Sequence, residues 1–320
     1  MDTLVLQIKK ALKEETKSIE YNQINIQEHI IAHIQNEFNT TQFTLDETIK
    51  YINTFNTHTC IHTMYTLGPI CINILTNNYL DIPPKLLMER VIKRLFIVYT
   101  IFKINTSVNY WLIPTDSNRW FPKKNIVTPE HINGGFTYVK QSSNNTNSTA
   151  NIYIYRREEF PKVMLHELMH HSYIDSNNND NTIKSIDTIA KICDIDTNTV
   201  FLPNEGIIEA WALILQLIFI SHEYNIPFDV LFKKEKQWSM KQSSRLLYYK
   251  KNSTWKESTN SYCYIVIKTC CIYNIEQFVN SCFNKTVYRF LEQNIEDFLK
   301  KIKPMPMKHS CFRMTAFGDL

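Results

Sequence analysis

One short segment carries residues whose types and spacing suit metal chemistry. Residues 166–170 read His-Glu-Leu-Met-His, the pattern H-E-x-x-H, with apolar neighbours on both sides. On a helix, two histidines four positions apart project from one face, so both imidazoles can reach the same metal ion. Glu167 is offset by about 100° around the helix and can approach a metal-bound water from the side. The segment therefore predicts a zinc site with Glu167 as general base.

Two carboxylates further along the chain are candidates for completing this site, since a catalytic zinc needs a third protein ligand and an open position. Asn204 is predicted to be the N-cap of a helix, with Glu205 in its first turn and Glu209 one turn later on the same face. The rest of this helix is apolar. Electrostatic attraction to the helix N-terminus explains Glu205 alone, but it does not explain Glu209, which calls for a counter-charge.

Together, H-E-x-x-H and the downstream N-E-G-x-x-E resemble the gluzincins, the zinc metallopeptidases that include thermolysin and the zinc aminopeptidases. The resemblance implies that His166, His170 and Glu205 bind one zinc ion per chain. It also implies that Glu167 is the general base and that Glu209 orients His166 through its other ring nitrogen. The implied activity is the hydrolysis of peptide bonds by a zinc-activated water.

The resemblance covers about residues 133–222 and extends to the family's substrate-binding edge strand. That place is held here by residues 134–138, which implies that Gly135, Phe136 and Thr137 contact the substrate. The segment lacks the acidic residue with which aminopeptidases hold a free amine, so an endopeptidase is favoured. The gap before Glu205 is also longer than in the best-known members. This requires an inserted element, predicted as a helix over residues 183–195.

Composition and periodicity set the expected fold around this core. The chain has 320 residues, of which 44% are hydrophobic and only 5 are glycine, and this favours a globular, mostly helical protein. We expect a mainly α (α+β) fold in three parts. Residues 1–107 are predicted to be helical. Residues 108–222 form a gluzincin-like core, with a small β-sheet packed on the HExxH helix and a second ligand helix. Residues 223–320 form a helical region that completes the cleft.

Transition-state stabilisation in such a site needs a hydrogen-bond donor for the developing oxyanion. The sequence does not choose among the candidates in its C-terminal part, which are Tyr248, Tyr249, Tyr262, Tyr264, His309 and Arg313. Asp175 is a competing third ligand, but the residues around it do not fit the metzincin pattern. His171 is adjacent to a predicted ligand, and we expect it to be a structural histidine. His131 is not part of a metal-binding sequence motif.

A basic stretch over residues 233–256 supports a different class of function. It contains eight Lys or Arg against Glu235 alone, interleaved with Trp238, Tyr248, Tyr249 and Trp255. Such a stretch can follow phosphates and stack on bases. A solvated helix face with inward-packed aromatics is the favoured interpretation. The alternative function is thus a nucleic-acid- or protein-binding module with a structural or vestigial zinc site. Structural zinc normally has four protein ligands, often cysteine, and the 8 cysteines contain no C-x-x-C pair.

Charge and hydropathy give further expectations about partners and location. The net charge of +4 is too small to indicate nucleic acid or an anionic membrane by itself. The gluzincin resemblance implies a protein or peptide substrate, with nucleic acid possible but not favoured and no membrane. No secretory signal is visible in residues 1–12, and the longest apolar run, 211–220, is about half the length of a bilayer span. We therefore expect an intracellular, cytoplasmic protein with reduced cysteines. The abundance of Ile, Asn and Lys is typical of AT-rich genomes and favours a viral protein in the host cytoplasm or virion.

Overall fold

The computed structural model describes residues 2–122, 126–138, 149–172, 174, 180–196, 199–252, 256–306 and 311–318. Within them the α-helices are α1 (Asp2–Glu14), α2 (Glu28–Thr40), α3 (Asp46–Ile52), α4 (Lys85–Ile101), α5 (Pro129–Ile132), α6 (Phe160–Met169), α7 (Asp180–Ile192), α8 (Pro203–Glu223), α9 (Phe228–Asn252), α10 (Lys268–Tyr273), α11 (Ile275–Phe283) and α12 (Val287–Lys301). The strands are β1 (Glu20–Ile24), β2 (Ile61–Leu67), β3 (Ile70–Thr76), β4 (Ser107–Thr115), β5 (Ile126–Val127), β6 (Gly135–Thr137), β7 (Thr149–Arg156) and β8 (Lys256–Glu257). The expected mainly α (α+β) class is confirmed.

The largest sheet of the described residues is mixed and six-stranded, in the order β1-β2-β3-β4-β7-β6. The strand pairs β3–β4 and β4–β7 are parallel, whereas the other three pairs are antiparallel. Helix α4 connects β3 to β4, as a parallel pair requires a crossover. Strand β6 lies at the edge of the sheet, next to β7, whose end leads directly into α6.

Helices cover both faces of this sheet, and the alternation of side chains along β7 shows how. Ile152 and Ile154 point into the large core that contains α4, α6 and α8. Tyr153 and Tyr155 point to the opposite face, into a smaller core built with α2 and α3. Because successive residues of a strand alternate between faces, a strand buried on both sides is apolar throughout. The predicted packing of a sheet on the HExxH helix is therefore present, although the sheet is larger than expected.

The prediction that residues 1–107 are helical is wrong for three segments, because β1, β2 and β3 lie there. Strands β2 and β3 form a hairpin around Gly68, whose φ of 57° is in the left-handed region that favours glycine. Residues 61–76 are rich in Ile and Thr, which favour extended backbone. The predicted boundary at 107/108 falls inside β4, which pairs with β3 in the same sheet.

The two predicted ligand helices are present, with differences at their ends. Helix α6 begins after Glu159, has Pro161 in its first turn, and ends at Met169. The chain then tightens into a 3-10 turn, so that His170 begins this turn instead of continuing the α-helix. Helix α8 has Leu202 as its N-cap, and the prediction that Asn204 caps it is wrong. Proline at the first helical position sets the start two residues earlier, because its fixed φ suits a helix and it has no N–H to satisfy.

In the described part of the chain, α8 is the one helix long and apolar enough to cross a membrane. In its most apolar stretch, 89% of the residues are buried inside the protein. It packs against α6, α9, α10 and a π-helix over Cys263–Ile267. Burial by other helices on several sides is typical of a central core helix and accounts for its all-round hydrophobicity.

Candidate metal centre

Helices α6 and α8 bring His166, His170 and Glu205 together. The Nε2 atoms of the two imidazoles are 3.2 Å apart. Glu205 Oε2 lies 3.4 Å from Nε2 of His166 and 3.7 Å from Nε2 of His170. These three residues form a group that can hold a metal ion.

The spacing of these donor atoms fits a tetrahedral ion. Ligand atoms at about 2.0–2.2 Å from such an ion lie roughly 3.3–3.6 Å from one another. The three observed separations of 3.2, 3.4 and 3.7 Å bracket this range. The side chains of His170 and Glu205 keep 13% and 15% of their surface exposed, so the group is open to solvent on one side. Two imidazoles, one carboxylate and an open side suit a catalytic site better than a closed structural one.

Beneath the triad, Glu209 connects His166 to a buried lysine. Its Oε2 is 2.9 Å from Nδ1 of His166, and its Oε1 accepts a hydrogen bond from Nζ of Lys162. Lys162 and Glu209 are both almost completely buried. Burial alone would raise the pKa of Glu209, but the charges of Lys162 and His166 outweigh it and hold this pKa at about 2. Glu209 is therefore ionised and can fix the orientation of His166, as the sequence predicted.

The surrounding carboxylates also act on the titration of His166. Burial lowers the pKa of His166, but hydrogen bonds to Glu205 and Glu209 outweigh that effect and raise it to about 10. The pKa of Glu205 is held below its usual value, because the charge of His170 and hydrogen bonds from His166 and Tyr264 overcome the effect of burial. A concentration of negative charge around two imidazoles is the electrostatic environment that a divalent cation prefers.

Glu167 follows His166 on α6 and is buried. Burial raises the pKa of its carboxyl, with a smaller contribution from the negative charges of Glu205 and Glu209, while the two histidines lower it. A carboxylate whose pKa is shifted upward toward neutrality is a better proton acceptor in a hydrolytic site. Glu167 therefore lies near enough to His166, His170 and Glu205 for their charges to act on its carboxyl group.

Of the candidate oxyanion donors, the structure brings Tyr264 to the site. Its ring packs edge-on against His166, with ring centroids 5.7 Å apart, and its hydroxyl is hydrogen-bonded to Glu205. Tyr264 belongs to the π-helix, a rare geometry that is frequent at functional sites. This π-helix lies close to α8 because Gly206 has no side chain. A Cβ there would lie 2.6 Å from the carbonyl oxygen of Cys263.

The other candidate donors are engaged elsewhere or lie outside the description. The hydroxyl of Tyr249 donates to the carbonyl of Pro122, and the ring of Tyr262 packs on Phe201. Arg313 forms ion pairs with Glu158 and Glu159 at the start of α6. His309 and the competing ligand Asp175 lie outside the described residues.

The predicted substrate-binding strand lies against α6 because its glycines allow a close approach. A Cβ on Gly135 would lie 2.8 Å from the carbonyl oxygen of Tyr153 and 3.1 Å from Val163 of α6. Phe136 points to the opposite face of the sheet, where it stacks on Tyr153 with ring centroids 4.8 Å apart. Its side chain is therefore directed away from the triad. Strand β6 has its backbone at the edge of the sheet, next to β7 on one side.

Thr137 connects this edge strand to the 3-10 turn that follows α6. Its hydroxyl donates to the carbonyl of Asn151 at 3.0 Å and lies 3.1 Å from Nε2 of His171. Burial, together with the charge of His170, lowers the pKa of His171 to about 4, so this imidazole is neutral. His171 thus has the structural role expected of it. His131 is also outside the triad, hydrogen-bonded to Thr128 and packed on Trp120.

The basic stretch forms most of α9, and its described aromatic residues pack inward. The indole of Trp238 donates to the carbonyl of Arg313 at 3.3 Å. Lys236 donates to the carbonyl of Tyr273, and Lys250 pairs with Asp194 at 3.0 Å. Trp255 lies outside the described residues. This arrangement agrees with a solvated helix face over packed aromatics.

Lys162 is the site residue that sequence reasoning missed. It lies one turn before His166, on a helix whose ten residues are all buried. A lysine in such a helix needs a buried counter-charge. This requirement could have identified Lys162 as a site residue from the sequence.

Comparison with known proteins adds no family assignment. The chain matches no protein-family model, and searches of curated proteins and of solved structures returned no significant match.

Proposed function

We propose that this protein is a zinc-dependent metallopeptidase that hydrolyses internal peptide bonds. The observation that carries the proposal is the convergence of His166, His170 and Glu205 at separations of 3.2–3.7 Å, with one side open to solvent. Such a site also needs a residue that orients a metal ligand and a residue that acts as general base. Glu209 behind His166 is proposed for the first role and Glu167 for the second.

The proposed reaction divides its tasks among these residues. His166, His170 and Glu205 would hold the zinc ion, which when bound would supply a Lewis acid for the scissile carbonyl and for a water molecule. Glu167 accepts the proton of the attacking water and returns it to the leaving amine. Tyr264, whose ring packs against His166, is the proposed donor to the charge that develops on the carbonyl oxygen.

The substrate is proposed to be an extended peptide that pairs with the edge of β6. Because Phe136 and Thr137 use their side chains within the fold, recognition there depends on main-chain hydrogen bonds. The strand offers no carboxylate for a free amine, since its residues are Gly135, Phe136 and Thr137. This supports cleavage within a chain over removal of an N-terminal residue.

The first test is the zinc content of the purified protein, measured by elemental analysis. We expect about one zinc per chain in the wild type and a loss in Glu205→Ala, because a ligand is removed. Glu276→Ala changes an exposed carboxylate on α11 and should keep the metal, which makes it the matched control. If the wild type contains no zinc even after reconstitution, the proposal is wrong.

The second test separates metal binding from hydrolysis. Glu167→Gln should retain zinc and lose about 10²–10⁴-fold in peptide hydrolysis, because the amide cannot accept the proton. A peptide library with quenched fluorophores provides the substrate and reports internal cleavage. Full turnover by Glu167→Gln would contradict the mechanism.

The alternative is a binding module in which the zinc has a structural or vestigial role. Zinc retained in both variants, with no cleavage of any library by the wild type, would favour that alternative. The basic surface of α9 would then be the next feature to test.

A further inference from the structure

The buried cation Lys162 stands directly behind the metal centre and has no role in the proposed chemistry. We propose that Lys162 is a positioning residue, which fixes the orientation of His166 through the carboxylate of Glu209. This inference rests on the proposed function, because it concerns how firmly the same three residues bind a metal ion.

The geometry is a chain of contacts across two helices. Lys162 and His166 are one turn apart on α6, so their side chains lie on the same face. Glu209, on α8, inserts between them. One carboxylate oxygen accepts from Lys162 Nζ and the other lies 2.9 Å from His166 Nδ1. With both oxygens engaged, the carboxylate cannot rotate without breaking a contact.

Lys162 makes the hydrogen bond to Glu209, and the other buried lysine nearby does not. Lys268 is equally buried, but its Nζ donates to the carbonyl of Met314 at 2.7 Å. Its effect on Glu209 is electrostatic and without a hydrogen bond. Of these two buried lysines, Lys162 is the one in hydrogen-bond contact with Glu209.

Loss of this contact should weaken metal binding. Without Lys162, the outer oxygen of Glu209 is buried without a donor, and the carboxylate is free to turn away from His166. The imidazole then loses the partner that fixes its ring and presents Nε2 to the metal. Residues that orient a metal ligand typically change metal affinity 10–100-fold when they are replaced.

A double-mutant cycle on metal affinity tests this assignment, with Co²⁺ alone as the probe and its visible absorption as the signal. Lys162→Met should weaken Co²⁺ binding at least 10-fold in the wild-type background. In the Glu209→Gln background, the same change should have little further effect, because Lys162 acts through Glu209. Lys184→Met removes an exposed lysine from α7 and is the matched control, with unchanged affinity.

A structural role would give a different result. It would lower the thermal stability of the metal-free protein while leaving Co²⁺ affinity unchanged, or it would weaken binding equally in both backgrounds. Either outcome overturns the inference but leaves the proposed function intact. If Lys162→Met does not fold, Lys162→Gln keeps a donor without the charge. It should weaken binding by a smaller factor, and wild-type affinity in this variant would overturn the inference. Failure of the wild type to bind Co²⁺ would overturn both proposals.

Discussion

The ring of Tyr264 meets the imidazole of His166 edge-on, with ring centroids 5.7 Å apart and an angle of 69° between the rings. The same tyrosine is hydrogen-bonded through its hydroxyl to Glu205. It therefore touches two of the three proposed ligands. One side chain thus links the C-terminal helices to both helices that form the metal centre.

Tyr264→Phe tests the proposed donor role. We expect the variant to fold and keep its zinc, because the ring remains against His166. The rate constant kcat for peptide hydrolysis should fall about 10²–10³-fold, since loss of one oxyanion donor has an effect of that size. KM should change little. Steady-state kinetics on a cleaved library peptide gives both values.

The matched control is Tyr262→Phe, which removes a hydroxyl next to the same π-helix, where the ring packs on Phe201. Its kcat should stay close to that of the wild type. Equal losses in the two variants would assign the effect to packing of the segment and not to the hydroxyl of Tyr264.

Thr137→Val tests the connection between the edge strand and α6. Valine keeps the shape but removes the hydroxyl that bonds Asn151 and His171. The ring nitrogen of His171 then lacks its partner, which should lower the free energy of unfolding by about 1–3 kcal/mol. A loosened edge should also raise KM for peptides more than it lowers kcat. Urea denaturation and steady-state kinetics provide the two measurements.

Thr149→Val, at the exposed start of β7, is the control for the exchange itself. It should change the free energy of unfolding by less than about 0.5 kcal/mol, as is usual for surface sites. If Thr137→Val is as stable as this control and has a wild-type KM, the hydroxyl does not hold the edge strand.

The sequence was sufficient to find the two helices of the centre, because their polar residues recur at helical spacing within apolar segments. His166 and His170 lie one turn apart on α6 and its 3-10 extension, and Glu205 and Glu209 on α8. Burying such groups without partners is costly, so the pattern itself implied that the two helices face each other.

Other features depend on contacts between residues far apart in the chain, and local patterns do not encode them. Residues 61–76 contain several Ile and Thr residues, but polar and apolar residues do not alternate regularly along them, and the pairing of β3 with β4 is decided by the tertiary fold. The π-helix at Cys263–Ile267 forms where the chain packs on Gly206 of α8. Tyr264 was consequently one of several equal candidates until the tertiary contacts were known.

Glu257 gives a prediction about pH. This carboxylate accepts hydrogen bonds from the Ser261 hydroxyl and, at 3.0 Å, from the N–H of Tyr262, just before the π-helix. Burial raises its pKa from 4.5 to about 7, although those hydrogen bonds lower it. A carboxyl group with a raised pKa stays protonated in the folded state after it has ionised in the unfolded state. Its contribution to stability is therefore greatest below about pH 4.5 and is lost as the pH rises to about 7.

Glu257→Gln should remove this contribution to the pH dependence. The difference in free energy of unfolding, variant minus wild type, should rise between pH 5 and pH 7. Above about pH 7 this difference should become constant. Urea denaturation at several pH values measures it. Glu276→Gln, on an exposed site of α11, should show no such change with pH. A difference for Glu257→Gln that is the same at pH 5 and pH 8 would contradict the raised pKa.

Gly206→Ala gives the sharpest test of the contact between α8 and the π-helix, because two effects have opposite signs. Alanine stabilises a helix interior by about 1 kcal/mol relative to glycine. Its Cβ would lie 2.6 Å from the carbonyl oxygen of Cys263 and 2.7 Å from Cβ of Ile267. Overpacking of this kind costs about 1–3 kcal/mol, and the backbone at Cys263 cannot move aside as a flexible side chain can. We therefore expect a net loss in the free energy of unfolding, measured by urea denaturation.

Because the displaced segment carries Tyr264, kcat should fall as well. A variant more stable than the wild type would mean that the two helices are not in contact at this glycine.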